Sequence, residues 1–260
     1  MSNADRILRL EGVHNFRDYG GYASKHGGRV KQRVLWRSAQ HAEASDADLA
    51  AIDALGLATV IDLRGDSERT SGPCRRGPGF SARVVFHRGE TAGLAPHMEA
   101  ARDALDADSA HRALRGYYRH LPHRDNLVPV LRSYFAAMGE GEGPSLVHCV
   151  AGKDRTGFAV AMLQHILGVD AEEILADYLL TNLAGNIDAR IAQGAEHIRA
   201  RYGPVDDATV RTLMGVDAAF LAESFQAIAE RHGSIDAYLD AVMGVDSAAQ
   251  ERLRVLYLES

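Results

Sequence analysis

One decapeptide constrains this chain more than any other feature: His148-Cys149-Val150-Ala151-Gly152-Lys153-Asp154-Arg155-Thr156-Gly157. A short apolar run, Ser145-Leu146-Val147-His148-Cys149, leads into it, and a longer one, Phe158 to Leu167, leaves it and is closed by Gly168. The pattern predicts a strand, a glycine-containing turn and a helix. Such a unit belongs to an open α/β sheet. It sets Cys149 at the carboxyl end of a parallel strand, below a helix N-terminus, where these sheets collect their ligands. Curling Val150, Ala151, Gly152 and Lys153 back over the sulfur makes their amide N–H groups converge into an anion nest. The helix starting near Arg155 adds its positive dipole end and free N–H groups.

Each side chain of the loop has a chemical part to offer. Arg155 presents a planar fork that suits two oxygens of a tetrahedral phosphate. The same positive field favours the thiolate of Cys149, which is the nucleophilic form. Thr156 can donate its hydroxyl to that sulfur, His148 is expected to brace the loop backbone, and Asp154 stands where it can protonate a leaving oxygen. Together these parts imply covalent phosphoryl transfer through a cysteinyl-phosphate, with neither metal nor cofactor. The blander reading of Cys149 is a small buried hydrophobe at a strand end. The loop is not a nucleotide-binding Walker sequence, because Asp154 follows Lys153 and no glycine stands five positions before Gly152. Lys153 reads either as the holder of a second phosphate or as a solvated rim charge.

The rest of the chain supplies the frame. Ser45-Asp46-Ala47-Asp48 is a capping-box start for a helix through Leu49, Ile52 and Leu55, ended by Gly56. Leu57 to Leu63 reads as a strand buried on both faces, Val34-Leu35-Trp36 and Arg83 to His87 as further strands, and Asp125 to Met138 as an amphipathic helix. Residues 92–125, polar and alanine-rich with four histidines, read as partly helical and as an insertion over the sheet, a candidate lid. From Asp170 onward the pattern is helical, and the stripe Phe220, Leu221, Phe225 and Ile228 is core-facing. The expected fold is α/β: a parallel central sheet of four to five strands flanked by helices, with a helical C-terminal portion over 170–260, all within one domain spanning 1–260.

Several blocks now carry a resemblance. His148-Cys149 through Arg155-Thr156-Gly157 resembles the signature of cysteine-dependent phosphatases. Gly152-Lys153-Asp154-Arg155-Thr156-Gly157 is similar to the bacterial branch acting on phosphotyrosine and phosphoinositides. Asn15-Phe16-Arg17-Asp18-Tyr19-Gly20-Gly21, Leu35-Trp36-Arg37-Ser38, Thr59 to Arg64 and Asp177-Tyr178-Leu179-Leu180-Thr181-Asn182 resemble that family's blocks in order. The likeness runs over most of 12–260, with 90–125 unmatched in detail. It implies a phosphorylated protein, phosphotyrosine first, or a phosphoinositide as substrate. Related enzymes often take an acid from a separate loop, here Phe86-His87-Arg88-Gly89-Glu90, which has no aspartate. Asp154 is therefore the favoured acid, with Glu90 or His87 as substitutes. Arg17, Asp18, Arg37 and Arg64 either surround the nest or form ion pairs that brace the N-terminal segment against the sheet.

Composition excludes other classes. A net charge of −6 and a pI near 6.0 give no general electrostatic case for nucleic acid. No stretch reaches about 18 consecutive apolar residues and the N-terminus has no leader pattern, so a cytoplasmic protein without integral membrane contact is expected. Cys74 reads as an incidental loop thiol remote from Cys149, and two cysteines make neither a disulfide scaffold nor a zinc cage. His120 and His123 with Asp125 lack metal-site spacing. Two rival functions remain open: a sulfurtransferase, disfavoured by Arg155-Thr156, and a phosphate-recognition module without turnover.

Overall fold

The computed structural model describes residues 3–91, 106–186 and 206–260. Among them, five strands make one sheet in the order β1-β3-β6-β4-β5: β1 (Arg17–Asp18), β3 (Leu35–Ser38), β4 (Thr59–Asp62), β5 (Arg83–Phe86) and β6 (Ser145–His148). Strands β3, β6, β4 and β5 run parallel, and only the short β1 is antiparallel to its neighbour. The architecture is thus the α/β sheet expected, with β6 in its centre and its carboxyl end open to a loop. Registers Trp36↔Leu146↔Val60 and Arg37↔Val147↔Ile61 place alternate residues on opposite faces. On one face Trp36, Leu146 and Val60 pack with Phe16, Leu49 and Ile52. On the other, Leu35, Ile61 and Val147 meet the larger, mostly helical core. Double-sided burial explains why adjacent apolar residues such as Leu35-Trp36, Val60-Ile61 and Leu146-Val147 stand side by side in these strands.

Helix α1 (Asp46–Asp53) begins at Ser45, whose side chain accepts from the Asp48 N–H while Asp48 reaches back to the Ser45 N–H. Helix α2 (Asp66–Ser71) follows β4 directly. Helix α3 (Ala107–His120), capped by Asp106, corrects the reading of 92–125 as a polar insertion. Its Ala110, Leu114, Tyr117 and Tyr118 recur on one face and are buried in the main core, against helices α7 (Asp207–Met214) and α8 (Ala218–His232). The lid expectation itself falls largely on 92–105, outside the described residues. Helix α4 (Val128–Glu140) ends at Gly141, left-handed at φ +66°.

Helix α5 (Asp154–Ile166) leaves the loop and is buried at every position except His165, which makes it the central helix of the molecule. Helices α6 (Ala171–Leu179) and α9 (Ser247–Tyr257) complete the helical side with α7 and α8. One element escaped the helical reading of the C-terminal portion. Strand β7 (Leu258–Glu259) pairs antiparallel with β2 (Arg29–Val30), tying the chain's end to the N-terminal region.

Candidate active site

Loop 149–153 connects β6 to α5, and its shape is fixed by contacts at Gly152. That residue has φ +63°, and a Cβ on it would stand 2.3 Å from the Ser38 carbonyl oxygen. Only glycine fits such an approach of backbone to backbone. The Gly152 carbonyl accepts from Asn15 Nδ2 at 2.6 Å and Arg37 Nη2 at 3.0 Å. The Val150 carbonyl accepts the Gln40 N–H at 2.9 Å. Cys149 is buried, 2% exposed, below the first turn of α5.

Arg155, on that first turn, is 1% exposed and held by a residue the sequence did not single out. Glu68 of α2 accepts from Arg155 Nη1 at 2.6 Å and Nη2 at 2.7 Å, while Thr91 Oγ1 and the Leu63 carbonyl accept from Nη1. Burial works against the guanidinium charge, but the Glu68 hydrogen bonds, then the charges of Cys149 and Glu68, hold its pKa above the ordinary arginine value. With both Nη atoms engaged, Nε is buried without a partner among the described residues, and so is Thr156 Oγ1. No hydrogen bond joins Thr156 to the Cys149 sulfur. Its hydroxyl remains an uncommitted donor.

Asp154 opens α5 and is buried. Its Oδ1 accepts from Tyr118 Oη at 2.7 Å, and Tyr118 in turn accepts from Tyr178 Oη at 2.7 Å. Lys153 Nζ lies 3.5 Å from the same oxygen and donates to the Leu213 carbonyl at 2.8 Å. Lys153 is only 1% exposed, which corrects its reading as a solvated rim charge. Of the substitute acids, Glu90 is engaged elsewhere. Exposed Glu90 accepts from Ser67 N at 3.0 Å and Ser67 Oγ at 2.8 Å.

The supporting arginines brace the frame from beneath. Asp177 of α6 receives Arg17 Nε at 3.3 Å and Arg37 Nη1 at 3.0 Å. Burial and the neighbouring Arg37 charge bring Arg17 down to about 10, against the pull of Asp177. Asp177 itself is lowered in spite of burial, because two guanidinium groups surround it. Asp18 serves a turn, accepting Gly20 N at 2.8 Å and Arg33 N at 2.6 Å. Arg64 grips Asp62 through Nε at 2.9 Å and Nη2 at 2.8 Å.

Two further placements correct the sequence reading. Cys74 is no incidental thiol: its sulfur accepts from Arg64 Nη2 at 3.2 Å and from His41 N at 3.4 Å. With Asp62 and His148 it forms a trio of candidate ligand atoms within 4.8 Å of one another, although Arg64 already supplies a positive charge there. His148 Nδ1 lies 3.2 Å from the Cys149 carbonyl, and its ring stacks on His41. Burial, opposed by Asp62 and reinforced by Arg64, lowers it to about 4, so it is neutral at pH 7. His123 meets His232 at 3.0 Å between Nε2 atoms, away from the loop.

A buried cysteine thus follows the central strand of a mostly parallel sheet, at the foot of a buried helix that also carries an anchored arginine. The chain belongs to the tyrosine phosphatase family, whose model matches residues 8–259. It is 35% identical to a Cupriavidus necator protein bearing the tyrosine-protein phosphatase name, over 96% of this chain and 88% of that one. It is 30% identical to the triple specificity protein phosphatase PtpB of Mycobacterium tuberculosis, over 97% of this chain and 99% of the relative. Among solved structures it is similar to TpbA of P. aeruginosa at 21% identity, covering 70% of this chain and 86% of that one, with a TM-score of 0.32. No helix among the described residues is long and apolar enough to cross a membrane.

Proposed function

We propose that the chain hydrolyses phosphate monoesters, phosphotyrosine above all, through a phosphocysteine at Cys149. The observation that carries this reading is the pairing of a buried Cys149 with an Arg155 whose fork is locked by Glu68 and whose Nε–H has no partner among the described residues. An orphaned buried donor beside a nucleophile is costly unless a ligand completes it. A phosphoryl group does so. The Cys149 thiolate attacks phosphorus, the bond from phosphorus to the ester oxygen breaks, and Asp154 gives that oxygen its proton. Water then attacks the phosphocysteine, Asp154 takes back a proton, and inorganic phosphate leaves as the thiolate reforms. Arg155 and the N–H groups of Val150, Ala151, Gly152 and Lys153 stabilise the equatorial oxygens, supplying the charge that a metal supplies elsewhere.

Phosphotyrosine ranks first because the family and the Cupriavidus relative carry that name. Phosphoserine, phosphothreonine and phosphoinositide headgroups come next, on the resemblance of Gly152 to Gly157 to the bacterial branch, and the Mycobacterium relative's name speaks of more than one specificity. The Leu213 contact of Lys153 gives no special support to a second phosphate. Residues 1–260 act as one domain in this reading, since loop, sheet and C-terminal helices share a core. A nucleophile that must stay a free thiol suits the cytoplasm. Hydrolysis of p-nitrophenyl phosphate in excess EDTA, abolished in Cys149→Ser while phosphate binding persists, is the expected result. Undiminished turnover by Cys149→Ser refutes the covalent route, and thiosulfate:cyanide transfer in its place marks a sulfurtransferase.

A further inference from the structure

Helix α3 carries two adjacent tyrosines beside the loop, and among the described residues only one of their hydroxyls has a hydrogen-bond partner. Tyr118 donates to Asp154 at 2.7 Å. The hydroxyl of Tyr117 is buried and makes no hydrogen bond among the described residues. Its ring is fixed from two sides, by the edge of Tyr118 at 5.8 Å between centroids and by the Arg124 guanidinium 4.9 Å from its centre. Besides Arg124, the charges that act on the Tyr117 hydroxyl are those of Arg155, Asp154 and Cys149, the three groups of the proposed chemistry. Burial above all keeps its proton in place, so it is available as a donor at neutral pH. Tyr117 Oη and Arg155 Nε are thus two buried donors without a partner among the described residues, and both groups feel the charge of Cys149.

Chance does not readily account for this grouping, since buried polar atoms are nearly always paired. A folded core without a ligand gains nothing from an orphaned phenol, and phenylalanine fills the same space without the cost. We propose that Tyr117 is a catalytic residue: its hydroxyl donates to a phosphoryl oxygen of the bound substrate, beside Arg155 Nε. The inference rests on the phosphatase reading above and adds to it a ligand-contacting residue from a helix that lies outside the loop. Because the bond goes to phosphoryl oxygen and not to the leaving group, its loss is felt alike by every phosphate monoester.

The test uses the full chain with inorganic phosphate as the probe. In a Cys149→Ser background, adding Tyr117→Phe is expected to weaken phosphate binding, read by calorimetry, on the order of 10- to 100-fold, as for a lost hydrogen bond to a charged group. With Cys149 intact, Tyr117→Phe lowers kcat/KM by a similar factor for p-nitrophenyl phosphate and for a phosphotyrosine peptide. The Tm of the unliganded protein stays level or rises, because the hydroxyl removed had no partner. Phosphate affinity within twofold of the parent overturns the proposal. So does a fall of several degrees in unliganded Tm, which marks the hydroxyl as a structural group. If the Cys149→Ser parent itself binds no phosphate, the anion-loop reading fails first, and the role of Tyr117 falls with it.

Discussion

Replacing Glu68 by glutamine removes a charge from the fork of Arg155 while leaving the size of the side chain alone. The native pair has two hydrogen bonds, at 2.6 and 2.7 Å, to a guanidinium that is 1% exposed. Each bond to a charged group is worth about 1.5–3 kcal/mol, and an amide keeps one acceptor while turning its NH₂ toward donor N–H groups. One charge-assisted bond is lost and the other becomes weaker. Glu68 is 16% exposed, so water can reach part of the gap, and Thr91 and Leu63 still accept from Nη1. The net loss is therefore near the low end, about 2 kcal/mol, or a fall in Tm of roughly 4–8 °C for a chain of this size. The kinetic effect is larger, because a catalytic group displaced by about 1 Å costs on the order of 100-fold. Thermal unfolding and kcat/KM for p-nitrophenyl phosphate, measured on the same preparation, give both numbers. A variant with unchanged Tm and kcat/KM within about twofold refutes the claim that Glu68 holds the arginine in place.

Asp154→Asn should reduce hydrolysis of a phosphotyrosine peptide by about 10²–10⁴-fold but that of p-nitrophenyl phosphate far less, since the latter's leaving group barely needs a proton. Glu90→Gln is the control and should match wild type with both, given its contact with Ser67; equal losses with both substrates in Asp154→Asn contradict an acid role. Stability should fall as pH drops from about 6.5 toward 4. In that window the unfolded chain binds a proton at His148 that the folded chain, held at about 4, refuses. The 2.5-unit gap corresponds to about 3 kcal/mol by pH 4, and buried His41, also lowered, acts with the same sign. Urea midpoints that stay level between pH 7 and 4.5, or a slope that His148→Asn leaves unaltered, contradict it.

The parts of the site that were legible in the sequence are those encoded locally. Cysteine, glycine and arginine at fixed spacing between an apolar strand and an apolar helix announce the loop, and Ser45 with Asp48 announces a helix start. Groups that reach the loop from far along the chain left no local mark. Glu68 meets Arg155 across 87 residues, and Asp177 meets Arg17 across 160. In the sequence, Arg17 and Arg37 fit phosphate ligands as well as braces, because one guanidinium serves both purposes; the position of Asp177 decides. The partly helical reading of 92–125 met helix α3, but its buried face was obscured because arginines and histidines lie between Ala110, Leu114, Tyr117 and Tyr118 and mask a narrow apolar stripe. Strand β7, two residues long, is too short to have a period.

The most direct test of the central claim is an acid-quenched reaction with a phosphotyrosine peptide carrying radioactive phosphate, followed by proteolysis and identification of the labelled fragment. Label on Cys149 during turnover, and none in Cys149→Ser, is the expected result. Label on any other residue, or continued turnover by Cys149→Ser, contradicts it.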